Sequence, residues 1–229
     1  VELAVRARDA FWAAWGAPQG AEVWRGRRRP LVAASVGPWG AMRADGSEYR
    51  GYAGTGMDVA ALMDFHRPRL AVLARAGADL LACETLPGLD EGLALARLID
   101  ELRAQPGLEG LGGWFAFSCR DGEHLSQGER LADAAAALDP FPGVWAFGVN
   151  CSAPGHVAAL LASARGATGK PLLAYPNAGE TWDAVAKVWR GAADAPTLAD
   201  HAGAWCAAGA RLLGGCCRTT PADIAALRA

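Results

Sequence analysis

No run in this 229-residue chain approaches the about 18 uninterrupted apolar residues that a membrane-spanning helix needs, so no segment reads as a span. The start shows no signal-peptide pattern, and a cytoplasmic location is the expectation. An excess of one charge is also lacking. The 22 Lys and Arg against 24 Asp and Glu leave a net charge of -2, which gives no general pull toward nucleic acid or an anionic membrane. The one basic cluster, Arg25-Gly-Arg-Arg-Arg29, lies between a helical stretch and a strand and reads as a solvated loop. Only four histidines occur, with neither a His-Glu-x-x-His pattern nor any pairing spacing, and His66 falls on an apolar helical stripe as a packed core residue. There is no Ser-, Gly- or Pro-rich linker and no repeat of fixed period, so residues 1–229 read as a single domain.

What is present is alternation. Runs rich in branched or aromatic residues predict strands at Leu31–Val36, Asp79–Glu84, Gly112–Cys119, Val144–Cys151, Pro171–Tyr175 and Ala210–Gly215. Helical spacing predicts helices near residues 1–15, 57–76, 90–104, 129–138, 154–165 and 197–208, and a last one from Pro221. Leu95, Leu98 and Leu102 share one helical face, and Asp90 and Glu91 suit the positive end of that helix's dipole. Strict βα alternation predicts a parallel sheet with helices outside it, doubly wound or closed into a barrel. A closed (β/α)₈ barrel uses eight units and typically about 250 residues, whereas this sequence has six units after a leading helix. The expectation is an α/β TIM barrel whose first two βα units are missing from the sequence in hand, with a six-stranded open sheet as the alternative.

The distinctive residues gather at the C-terminal ends of strands: Ser35-Val-Gly-Pro38, Cys83-Glu-Thr85, Gly148-Val-Asn-Cys151, Tyr175-Pro-Asn177 and Gly214-Gly-Cys-Cys217. In parallel α/β folds that edge carries the active site. A chain that builds its own core needs no disulfides, so the six cysteines are expected as reduced thiols or metal ligands. Cys216 and Cys217 are poorly suited to bonding each other, because a disulfide wants Cα atoms about 4.4–6.8 Å apart and neighbours sit near about 3.8 Å. Two thiolates from one turn can share a metal, with Gly214 and Gly215 supplying unusual backbone angles and Cys151 as a third ligand. Three sulfurs with an open fourth position is a pattern of catalytic zinc. Spacing alone leaves a second reading open, in which these are small buried hydrophobes. Cys83, Cys119 and Cys206 read as core residues. Gly166-Ala-Thr-Gly-Lys170 is a turn rather than a phosphate loop, because Pro171 follows it and it leads into a strand.

The segments Ala82-Cys-Glu-Thr-Leu-Pro87, Gly148-Val-Asn-Cys151, Tyr175-Pro-Asn-Ala-Gly-Glu180 and Gly214-Gly-Cys-Cys-Arg-Thr-Thr-Pro221 together resemble the homocysteine S-methyltransferase family. The likeness is closest to its bacterial members that use S-methylmethionine or S-adenosylmethionine. It extends to Ser35-Val-Gly-Pro38, Asp45-Gly-Ser-Glu-Tyr-Arg50 and Phe65-His-Arg-Pro68. The resemblance implies a (β/α)₈ barrel enzyme of methionine biosynthesis, with one zinc held by Cys151, Cys216 and Cys217 and homocysteine sulfur as the fourth ligand. It implies methyl transfer from a sulfonium donor, no general acid or base in that step, and Glu84 on the amino group of homocysteine. Asn150, beside a ligand, is expected to orient that turn or the substrate. Trp39, Tyr49 and Trp114 lie near strand ends, where aromatic faces suit a sulfonium cation.

The sequence departs from the family pattern in lacking the opening strand with its Asp-Gly-Gly motif. The rival readings are a truncated, non-catalytic zinc-binding barrel and a methyltransferase of the same superfamily using a donor such as betaine. A zinc hydrolase on this barrel would draw on His and carboxylate ligands instead.

Overall fold

Strands buried on both faces of a parallel sheet read as near-continuous apolar runs, and each of the six expected runs forms a strand. The chain was studied as a computed structural model, which describes residues 1–15, 28–191 and 196–228. The strands are β1 (Ala33–Val36), β2 (Leu80–Leu86), β3 (Gly113–Phe117), β4 (Val144–Asn150), β5 (Leu172–Tyr175) and β8 (Ala210–Leu213). Helices α1 (Glu2–Trp15), α3 (Val59–Leu73), α4 (Leu89–Arg103), α5 (Leu131–Leu138), α6 (Pro154–Arg165), α7 (Leu198–Ala208) and α8 (Pro221–Arg228) fall where helical spacing placed them. Residues 25–27 of the basic cluster lie outside the described residues, while Arg29 pairs with Asp9. Among the described residues, no helix is long and apolar enough to cross a membrane.

All six strands are parallel, in the order β1-β2-β3-β4-β5-β8. A doubly wound sheet reverses its strand order at a switch point. This order never reverses, and right-handed crossovers then put the helices that connect its strands on the same face. The core reflects that geometry. Val36, Cys83, Phe115, Phe117, Phe147 and Val149 point toward the helices and pack with Leu95, Leu98, Leu131 and Leu160. On the opposite face lies a small cluster of Ala116, Ala146 and Leu173 with Trp114 and Tyr175 against it. Cys83 and Glu84 thus face opposite ways, as strand alternation requires.

Four short elements in two loops were not legible in the sequence. Helix α2 (Trp39–Arg43) and a 3₁₀ turn (Ser47–Tyr49) structure the loop after β1. Strands β6 (Thr181–Asp183) and β7 (Val188–Arg190) form an antiparallel hairpin after β5. Asp183 caps its turn by accepting from the backbone N–H of Ala186 at 2.8 Å and Nε of Arg190 at 2.8 Å.

Glu91 does more than favour a helix dipole. It is buried, and its Oε1 accepts from the Trp39 backbone N–H at 2.7 Å and meets Nε2 of His66 at 2.7 Å. Its Oε2 takes the hydroxyl of Tyr52. Arg69 donates to Nδ1 of His66 at 2.9 Å, so Nε2 is the nitrogen that carries its proton toward Glu91. One carboxylate thereby ties α3, α4 and the loop after β1. That loop is further docked by Ser118 Oγ, which donates to the Glu48 carbonyl at 2.7 Å, and by the Tyr52 N–H, which donates to Gln127 at 3.1 Å.

Removing one partner of a buried polar cluster leaves the others unsatisfied, at about 1–3 kcal/mol per orphaned group. Glu91→Ala is therefore expected to cost more than about 3 kcal/mol in urea unfolding. A loss under about 1 kcal/mol would show that this cluster does not hold the loop.

Candidate metal centre

β4 and β5 run in register with Asn150 opposite Tyr175, and β5 pairs next with β8. The residues leaving β4 and β8 therefore emerge side by side. The N–H of Cys151 donates to the Tyr175 carbonyl at 3.3 Å, that of Cys216 to Pro176 at 2.9 Å, and that of Ala178 to Cys217 at 3.2 Å. Cys151 takes a left-handed backbone, φ 47, and Arg218 closes the Cys216-Cys217 turn at φ 69. Gly214 and Gly215 were expected to provide such angles, but neither has positive φ. Gly215 is needed for a different reason, since a side chain there would collide with Thr219, which holds the turn by donating from Oγ1 to the Cys216 carbonyl at 2.7 Å.

Among the described residues, Cys151, Cys216 and Cys217 make up the group able to hold a metal, their sulfurs all within 4.8 Å of one another. The Cys217 sulfur lies 3.6 Å from that of Cys151 and 3.9 Å from that of Cys216. Tetrahedral zinc with bonds of about 2.3 Å places its sulfurs about 3.8 Å apart. The expectation that every cysteine is reduced is corrected at one place: Cys151 and Cys216 are joined as a disulfide, with Cα atoms 5.6 Å apart. A chain with its own core needs no disulfide and the adjacent pair is poorly placed to form one, but neighbouring strand ends bring residues 65 apart to bonding range. The donor set fits zinc once that bond is reduced.

The third thiol, Cys217, is free and half-buried. Burial raises its pKa above the ordinary thiol value, and a hydrogen bond from the Tyr49 hydroxyl opposes that rise. Tyr49 is itself pushed up, by burial first and then by the charge of Cys217.

Beside the cysteines lies a carboxylate with defined partners. Ser35 Oγ donates to Oε1 of Glu84 at 2.5 Å, and the Tyr175 hydroxyl donates to Oε2 at 2.9 Å. Trp114 Nε1 donates to the Tyr175 oxygen at 2.9 Å, with the two rings edge-on at 6.1 Å. Burial and the Glu84 charge raise the Tyr175 pKa well above its usual value, so its proton stays in place to orient Glu84. Asn150 is buried and grips the turn after Glu84. Its Oδ1 accepts from the Thr85 N–H at 2.7 Å, and its Nδ2 donates to Thr85 Oγ1 at 2.8 Å. Thr85 sits at φ 61, an unusual conformation for a β-branched residue, and it persists because the surroundings over-determine it. Asn150 Nδ2 also lies 4.0 Å from the Cys216 sulfur.

The structure thus brings Cys151, Cys216, Cys217, Asn150, Glu84, Tyr49 and Trp114 to one strand edge. Trp39 is placed apart, its ring edge-on to Tyr52 at 5.0 Å with Arg43 over it at 4.9 Å. Ser35 and Tyr175 were visible within flagged segments, but their role as partners of Glu84 was not. Of the three cysteines expected in the core, Cys83 and Cys119 are buried, and burial raises the pKa of both thiols, whereas Cys206 is exposed on α7.

The sequence profile for "Homocysteine S-methyltransferase" matches residues 1–229. The homocysteine S-methyltransferase of Escherichia coli (strain K12) is 51% identical over 230 residues, an alignment covering 100% of this chain and 69% of that protein. The crystal structure of the Escherichia coli homocysteine methyltransferase MmuM in its metallated form is similar at TM-score 0.79 and 46% identity, covering 100% of this chain and 67% of that one. The oxidized form of MmuM is similar at TM-score 0.80 and 47% identity, over 100% and 68%. The chain belongs to the homocysteine S-methyltransferase family.

Proposed function

We propose that this protein transfers a methyl group from a sulfonium donor, S-methylmethionine or S-adenosylmethionine, to homocysteine, giving methionine. The reading is carried by one observation: three cysteine sulfurs converge within 4.8 Å at the C-terminal edge of a singly wound parallel sheet. In this proposal residues 1–229 are one domain of a (β/α)₈ barrel, and Cys151, Cys216 and Cys217 hold a zinc ion. Zinc bound there would keep the substrate's thiol deprotonated at neutral pH.

The chain's own residues do the rest. Glu84 takes the ammonium group of homocysteine, and Ser35 and Tyr175 hold its two oxygens apart and aimed. Asn150 fixes the turn after Glu84 and borders Cys216, so carboxylate and sulfurs keep one spacing. Of the three aromatic residues expected to face the cationic donor, Trp39 is engaged with Tyr52 and Trp114 with the Tyr175 hydroxyl. Tyr49 has the most direct place of the three, since its hydroxyl reaches Cys217. In the reaction, homocysteine sulfur forms a bond to the methyl carbon as the donor's S–CH₃ bond breaks, and that electron pair stays on the donor sulfur. A sulfonium leaves as a neutral thioether, so no side chain has to move a proton in that step.

Freshly reduced protein is expected to carry one zinc per chain and to form methionine from homocysteine and S-methylmethionine, while Cys217→Ser loses both. Zinc without methionine would contradict this donor, and no zinc would contradict the metal centre. Because burial holds the Cys217 proton on, zinc must displace it. Apparent zinc affinity should therefore rise with pH through the range below the thiol's raised pKa. Tyr49→Phe removes the hydrogen bond that lowers that pKa and should weaken zinc about tenfold at neutral pH, as read by chelator competition. Unchanged affinity would remove Tyr49 from the centre.

A further inference from the structure

In-line displacement puts the incoming and leaving sulfurs on opposite sides of one methyl carbon, so donor and acceptor need separate places flanking the cysteines. Glu84, Ser35 and Tyr175 occupy the inner face of the sheet. None of them lines a second cleft of about 230 Å³, which opens above the strand ends and includes Tyr49, Arg120, Cys151, Glu180, Trp182 and Trp189 in its wall. The hairpin of β6 and β7 forms one side of it. Trp182 and Trp189 stand opposite each other across that hairpin, with ring centroids 5.3 Å apart.

Packing does not account for these two indoles. Both are half-buried, and neither belongs to a hydrophobic core cluster among the described residues. A two-stranded hairpin is marginally stable by itself. This one is tied down at its ends instead, by Lys187 donating to the Ala44 carbonyl and by Glu180 pairing with Arg218 at 2.7 Å. Those ties lean the hairpin against the loop that carries Tyr49, so three aromatic side chains and the Glu180 carboxylate border one opening beside Cys151. At its rim Arg120 is exposed and pairs only loosely, at 3.5 Å, with Asp121. Aromatic faces attract a desolvated cation, and a guanidinium fits a carboxylate.

The geometry points to this cleft as the methyl donor's subsite. It takes an amino-acid sulfonium, with the cation against Trp182, Trp189 and Tyr49 and the α-carboxylate toward Arg120. The inference rests on the function proposed above and adds where the donor sits.

The test titrates S-methylmethionine into the full-length, zinc-loaded chain by calorimetry and measures steady-state kinetics. Cation–aromatic attraction of about 1.4 kcal/mol corresponds to about tenfold. Trp182→Ala or Trp189→Ala is therefore expected to raise the donor's Kd and KM about tenfold, with zinc content and the KM for homocysteine unchanged. Trp182→Phe should recover most of the loss, and methionine, the uncharged thioether, should lose little affinity in either alanine variant. Arg120→Gln, at an exposed site with no part in the core, should weaken the donor without touching homocysteine. If the parent protein binds and turns over S-methylmethionine while Trp182→Ala, Trp189→Ala and Arg120→Gln all match it, the cleft is not the donor site and the function stands. Equal losses for donor and homocysteine would likewise overturn the placement. A parent protein that neither binds the sulfonium nor makes methionine overturns both readings.

Discussion

The whole site hangs on one register, the parallel pairing of β4 with β5 and of β5 with β8. It sets Asn150 level with Tyr175 and lets the chain beyond β8 stitch its backbone to residues 176–178. Cys151 and the Cys216-Cys217 pair then have little choice but to meet. Two of these sulfurs are close enough to bond, and the third lies at a tetrahedral edge's distance from both. The disulfide takes two of the three cysteines proposed for zinc, so the two are alternative occupants of one geometry: the backbone brings the sulfurs together, and redox state and metal decide what joins them.

Around that fixed point the protein invests in positioning. Left-handed backbone at Thr85, Cys151 and Arg218 places three strained residues beside the functional side chains. Asn150 holds the first of them, and Thr219 holds the turn before the last. Farther out, Glu91 and its partners fix the loop after β1, which brings Tyr49 to Cys217. The route from buried carboxylate to metal centre is thus continuous: α4 holds the loop, the loop holds Tyr49, and the Tyr49 hydroxyl acts on a thiol.

The parallel strands and the helices around them were legible because their physics is local. A doubly covered strand reads as a branched apolar run, and a helix on one face shows its stripe, as Leu95, Leu98 and Leu102 do. The cysteines were legible because they end strands. Features that depend on distant partners were not. Glu91 looked like a favourable first-turn residue, since nothing at positions 39, 52 or 66 announces a common partner. Tyr175 stood in a flagged segment, yet only the paired strands show that its hydroxyl serves Glu84. The β6–β7 hairpin has three-residue strands and a turn without Gly or Asn, so neither alternation nor turn chemistry marked it. The cross-strand disulfide was missed because a chain with its own core needs none for stability, and nothing in the sequence shows that residues 151 and 216 leave neighbouring strand ends.

X-ray absorption at the zinc edge tests the central claim most directly. Freshly reduced, zinc-loaded protein should show three sulfurs at about 2.3 Å, rising to four when homocysteine is added. A shell dominated by nitrogen and oxygen, or a sulfur count that homocysteine leaves unchanged, would contradict the three-cysteine centre with an open position for the substrate.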